Sequence, residues 1–169
     1  MDSDLERKVA KLFEDVSIEE LIQSPIFAIR DVKEKDVLLL KKAFNIKTVK
    51  NLAELKYVRW AQDFCQLAEK SPSDIDMSPF KDQLIKKYEH SPVSDIIKAP
   101  VYALQGVSEN DAELLKMAFN IVSVEDLGKS EYILRAQEIA FYKGKKKKLY
   151  VLLAVSFIIA IMVLYLILV

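Results

Sequence analysis

Apolar residues recur at spacings of three and four through most of the first 142 positions, the stripe left by half-buried helices. One stripe, Val37, Leu40 and Phe44, predicts a helix over residues 33–44, and residues 108–119 repeat it. Asn45 and Asn120 follow the last turn, where a residue must tolerate the left-handed conformation. Thr48 and Ser123 then cap a short helix ending near Leu55 and Ser130. A further helix carries Tyr57, Trp60, Ala61 and Phe64, and its counterpart carries Tyr132, Leu134, Ala136, Ile139 and Ala140. Pro25 and Pro100 suit the first turn of a helix, capped by Ser24 in the first case, and Val32 and Val107 fall in the tight hairpin after it. Amphipathic helices are expected to open each half, over about residues 4–15 and 79–90.

Past residue 142 the pattern changes. Residues 149–169 read LYVLLAVSFIIAIMVLYLILV, without a charge. As a helix, 21 residues span roughly 31 Å, the thickness of a bilayer core. Lys143, Lys145, Lys146, Lys147 and Lys148 form a basic collar just before this run, and positive charge stays on the cytoplasmic side. The start, MDSDLERK, lacks the basic and apolar regions of a signal peptide. The expectation is a single-pass, tail-anchored membrane protein with its N-terminal region in the cytosol. The collar sets topology and can attract anionic lipid.

The first 142 residues repeat themselves at an offset of 75. Ser24-Pro25-Ile26-Phe27-Ala28-Ile29 is echoed by Ala99-Pro100-Val101-Tyr102-Ala103-Leu104, and Lys41-Lys42-Ala43-Phe44-Asn45-Ile46 by Lys116-Met117-Ala118-Phe119-Asn120-Ile121. Between residues 17–64 and 92–139, 18 of 48 aligned positions are identical without a gap, which marks a duplication. The expected organisation is a first helical unit over 1–70, a linker over 71–78, a second unit over 79–142, the collar over 143–148 and the membrane helix over 149–169. Ser78 is read as an N-cap with Pro79 in the first turn.

Composition narrows the function. Three glycines in 169 residues and a preponderance of helix formers favour an all-α chain. The one cysteine, Cys65, excludes an intrachain disulfide and a cysteine-rich metal site, and reads as a small buried apolar residue. The chain has 25 basic and 25 acidic residues, but the zero hides a division. Residues 17–64 hold 9 basic and 7 acidic side chains, and residues 92–139 hold 4 and 8. Nucleic-acid affinity needs a basic face, and only the first copy offers one, in Lys33, Lys35, Lys41, Lys42, Lys47 and Lys50. These six are the candidate surface for a partner or a phosphate. The opposite net signs also permit contact between copies, within a chain or between neighbours.

The stretch from Gln105-Gly106-Val107-Ser108-Glu109 through Phe119-Asn120-Ile121-Val122-Ser123-Val124-Glu125-Asp126-Leu127 resembles the helix-hairpin-helix motif. It is also similar to the C-terminal domain of the bacterial RNA polymerase α subunit. The resemblance covers about 45 residues of each unit and implies two hairpin-centred helical units. It further implies DNA-backbone binding, in which hairpin glycines bring main-chain N–H groups to a phosphate. The family's hairpin has two glycines flanking an apolar residue. Here the second copy reads Gly106-Val107-Ser108 and the first Asp31-Val32-Lys33, and an aspartate at the close approach repels phosphate.

Catalytic patterns are missing from the chain. The one histidine, His90, has no cysteine, serine or carboxylate partners at catalytic or metal-ligand spacing, and reads as a helix C-terminal cap. The three glycines are too far apart for a phosphate loop. The carboxylates Glu19-Glu20, Glu34/Asp36 and Glu109/Asp111/Glu113 suit helix N-termini, and Tyr57 and Trp60 suit packing between helices. The expectation is an all-α protein of two degenerate helix-hairpin-helix units plus one C-terminal transmembrane helix. It is read as a non-enzymatic adaptor or scaffold with no cofactor or metal, bound to a membrane and to a protein partner or to itself. The alternative is a membrane tether for nucleic acid through the basic face of the first unit.

Overall fold

The computed structural model describes residues 3–70 and 76–142. Its helices are α1 (Ser3–Glu6), α2 (Ile18–Gln23), α3 (Glu34–Phe44), α4 (Val49–Ala53), α5 (Lys56–Lys70), α6 (Val93–Ile96), α7 (Glu109–Phe119) and α8 (Val124–Lys129). Residues 131–142 form a further helix, α9. The described residues contain no strand, only isolated bridges.

Local sequence sets the ends of these helices. The Ser17 hydroxyl accepts the Glu20 N–H, and the Glu20 carboxylate reaches back to the Ser17 N–H, which starts α2. Ser108 with Asp111 starts α7 in the same way, and Ser123 with Asp126 starts α8. Asn45 and Asn120 end α3 and α7 at φ 54° and 55°, each N–H donating to the carbonyl four residues back.

The duplication is repeated in space. Val9 bridges Ile29 as Leu84 bridges Leu104, and Pro25 bridges Thr48 as Pro100 bridges Ser123, every pair shifted by 75. These bridges correct two expectations. The helices predicted over 4–15 and 79–90 are replaced by an extended crossing between short turns. Val9 and Leu84 are buried there, and the Lys8 and Gln83 carbonyls accept from the Arg30 and Gln105 N–H groups. A backbone bonded across to the hairpin segment cannot also make helical bonds. His90 consequently stands exposed in a turn and not at a helix C-terminus. The segments after Pro25 and Pro100 likewise tighten to single 3-10 turns, Ile26–Ala28 and Val101–Ala103. Met77, not Ser78, precedes the 3-10 turn Ser78–Gln83, with Pro79 in its first turn.

The two sequence units share one continuous apolar core. Helices α3 and α7, which correspond to each other, pack side by side. Helix α5 leaves its own unit to lie along α8 and against α6. Its buried face, Tyr57, Val58, Ala61, Phe64 and Cys65, carries the three-and-four spacing that this crossing needs. Phe64 meets Phe80 of the second unit at 5.8 Å between ring centres. At Gly128 of α8 an added Cβ would fall 3.0 Å from Cys65 Sγ and 3.1 Å from the Ala61 backbone. Helix α9 makes the return crossing: Glu138 pairs with Lys8, and Gln137 and Phe141 face Ala53, Glu54 and Leu55 across a groove of ≈ 580 Å³. The body is an interlocked pair of units about a pseudo-twofold axis.

The expected membrane helix needs correction. Among the described residues no helix is long and apolar enough to cross a membrane. The longest helix with both ends described, α5, has 15 residues, about 22 Å, and is amphipathic. Residues 149–169 and the collar lysines Lys143, Lys145, Lys146, Lys147 and Lys148 lie outside the described residues. The described fold is therefore all-α without a spanning helix, and it does not support the single-pass, tail-anchored placement.

Candidate interaction surface

The hairpins come first, because the resemblance places phosphate there. Asp31 and Gly106 occupy equivalent positions, with φ 70° and 93°. Only the second has the residue that takes this conformation without cost. Both hairpins are spent on the other unit. The Tyr57 hydroxyl of α5 donates to the Gly106 carbonyl at 2.9 Å. Arg135 of α9 donates to the Arg30 carbonyl at 3.1 Å and lies 3.5 Å from the Asp31 carboxylate. Glu131 holds the same guanidinium from one turn away.

Two N–H groups in each hairpin are also taken. Val32 and Val107 donate to the Ile29 and Leu104 carbonyls. Lys33 N–H donates to Asp36 at 3.0 Å, and Ser108 N–H to Asp111 at 3.1 Å. Two of the chain's own carboxylates thus sit where the resemblance would seat an anion, and they add repulsion besides. Asp36 is 5% exposed, and its second oxygen has no partner among the described residues.

The six candidate lysines do not form one patch. Lys35, Lys41 and Lys42 are exposed on α3 at −3, +3 and +4 from Leu38, with exposed Glu34 at −4, so helix geometry sets the four round that residue. Lys33 is exposed at the hairpin. Lys47 is exposed beside a groove of ≈ 420 Å³ floored by Phe44, Ile46 and Leu55, and Lys50 is half-buried on α4. None of the six forms an ion pair with a described residue.

Leu38 is the residue that spacing alone misses. It is 66% exposed in the middle of α3. The run Val37-Leu38-Leu39-Leu40 held the signal, since four consecutive apolar residues cannot all face inward from one helix. Arg135 and Asp31 were also not singled out together. At the equivalent place in the other crossing stand Trp60 and Gly106, so a charged pair in one crossing replaces a neutral one in the other.

The second unit offers a different surface at the same place. Pro100, Tyr102, Ala112 and Val122 line a groove of ≈ 410 Å³, with Glu109 and Glu113 at its edge. Val122 is 50% exposed and Met117, on the same side of α7, 59%. Lys116 pairs with Glu113 at 3.5 Å, and Glu109 has no ion pair among the described residues.

Compared with known protein families, curated proteins and solved structures, the chain matches none of them.

Proposed function

We propose that the chain is a non-enzymatic protein-interaction adaptor or scaffold, whose contact surface is the exposed Leu38 of α3 within Lys35, Lys41 and Lys42. The observation that carries this reading is an exposed leucine whose helical neighbours are three lysines without ion pairs and one glutamate, Glu34. In this reading the leucine supplies the apolar contact and the lysines select acidic neighbours. The resemblance to helix-hairpin-helix units belongs to this proposal as an account of shape. The hairpins serve internal packing, and the Val32, Lys33, Val107 and Ser108 N–H groups already have acceptors.

The test is a photo-crosslinking amino acid at position 38 of the full chain, in cells. The expected result is a discrete protein adduct that disappears with Lys41→Glu and Lys42→Glu. A nucleic-acid adduct, or binding of the purified full chain to DNA or RNA that weakens with salt and is lost in the same variant, would replace this reading with the nucleic-acid one. The lysines alone favour that second reading.

A further inference from the structure

We infer that the surface around Leu38 binds the Glu109/Glu113 groove of a second copy of this chain, so that copies join head to tail. The inference rests on the adaptor reading and names the partner. Its basis is that duplication has produced two surfaces at equivalent positions that share Glu34/Glu109 and Lys41/Lys116 and differ around them. Leu38 corresponds to Glu113, Lys42 to Met117, Lys35 to Asn110 and Lys47 to Val122, each 75 apart. One surface presents an apolar knob within lysines. The other presents a groove floored by proline, tyrosine, alanine and valine and edged by Glu109, Glu113 and Lys116, the last two paired with each other, which leaves it net acidic. A groove of ≈ 410 Å³ has room for a leucine side chain.

These surfaces do not meet within one chain. Leu38 and Val122 both stay exposed there, while α3 and α7 pack through other faces. Two Leu38 surfaces would set Lys35, Lys41 and Lys42 against their own copies, and like charges directly opposed are unfavourable. Two grooves would bring no apolar knob to either, since Glu113 stands where the other surface has Leu38. The contact that remains is knob into groove, with Lys41 and Lys42 able to reach Glu109 and Glu113. Such a contact is heterologous. Each bound copy leaves one free knob and one free groove, so assembly continues as an open row or closes as a ring. One anchor and a few exposed ion pairs make each contact weak and salt-sensitive.

The test uses full-length chains carrying Cys65→Ala, one tagged and bearing Lys35→Cys, the other differently tagged and bearing Met117→Cys, so that Leu38 and Val122 are both kept. They are mixed and treated with a short bismaleimide. The proposal expects mixed-tag dimers well above the level from two Lys35→Cys chains, and a ladder from a chain carrying both cysteines. The yield should fall about threefold or more with Glu109→Lys and Glu113→Lys on the groove chain. It should return when the knob chain carries Lys41→Glu and Lys42→Glu. No excess of mixed-tag dimers, or no rescue by the double charge exchange, overturns the proposal. The adaptor reading survives that failure if the photo-crosslinker at position 38 still captures a different protein, and falls with it if no protein is captured.

Discussion

Gln62 and Gln137 stand 75 positions apart and exchange side-chain amide hydrogen bonds, Nε2 to Oε1 at 2.9 Å in one direction and 3.1 Å in the other. Two residues related by the duplication can bond each other reciprocally only beside the axis that relates the copies. The pair therefore marks the pseudo-twofold, with α5 and α9 crossing on either side of it. Replacing one member leaves a partly buried amide without its partner, whereas replacing both removes the need. Gln62→Leu or Gln137→Leu should each lower stability by about 1 kcal/mol, and the double variant should lose less than the sum of the two. Denaturant melts of the four proteins measure the coupling, and additive losses would remove the pair from the axis.

Gly106 is held by both its backbone and its neighbour. Its φ of 93° disfavours any side chain, and an added Cβ would stand 2.9 Å from the Tyr57 hydroxyl. Gly106→Ala should cost about 1–3 kcal/mol, from backbone strain together with the displaced hydrogen bond. Tyr57→Phe, which loses only the bond, should cost about 1 kcal/mol. Equal losses in the two variants would mean that the hairpin has room for a Cβ.

Gly128 tests the crossing of α5 into the second unit. The nearest obstacles to a side chain are Cys65 Sγ and the Ala61 backbone, and a backbone cannot rotate aside. Gly128→Val should destabilise by about 1–3 kcal/mol through overpacking. The loss should shrink with Cys65→Ala, which opens part of the space. A neutral Gly128→Val would separate α5 from α8.

The same contact governs the thiol. Burial pushes the Cys65 thiol above its ordinary range; Lys129 opposes this, and Glu125 and Glu69 add to it. Native Cys65 should react with a thiol reagent at neutral pH about tenfold or more slower than the unfolded chain. Gly128→Val should speed the reaction by loosening the α5–α8 contact. Native and unfolded rates that agree would place Cys65 at the surface.

Asp126 gives the acid limb of stability. Burial by itself would raise its carboxyl, but bonds from the Ser123 N–H and hydroxyl and the Val122 N–H outweigh it and hold the carboxyl below its ordinary range. A carboxyl depressed by folding adds stability above its unfolded value of about 4, and loses it as pH falls through the folded value. Asn51 occupies the same place in α4 and accepts from Lys47 and Thr48 N–H, so Asp126→Asn keeps the cap. The variant should be a few tenths to about 1 kcal/mol less stable than the parent at pH 7, because the group is largely exposed. The two should converge below about pH 4. A difference that persists in acid would have another cause.

Elements governed by neighbours in the chain were legible in the sequence. The αL caps Asn45 and Asn120 and the N-caps Thr48 and Ser123 depend on residues within four positions, and they stand as their types and spacing indicate. Elements governed by distant partners were not. Nothing near Val9 or Leu84 announces a bridge to Ile29 or Leu104, so the amphipathic pattern there read as a helix. The crossing of α5 and α9 was equally hidden, because an amphipathic helix states which face it buries but not against which unit. Of the candidate surface, the lysines were legible as charge, whereas the run Val37-Leu38-Leu39-Leu40 shows that one apolar residue faces outward but not that it is Leu38.

The most direct test of the interlocked body is an isotope-edited nuclear Overhauser spectrum of the full chain. The account predicts through-space contacts within one molecule from the Tyr57 ring to Gly106 Hα and from the Ala61 methyl to Gly128 Hα. If both were missing, and the Ala61 methyl met the equivalent Ala53 methyl of its own unit, each unit would close on itself and the account would be contradicted.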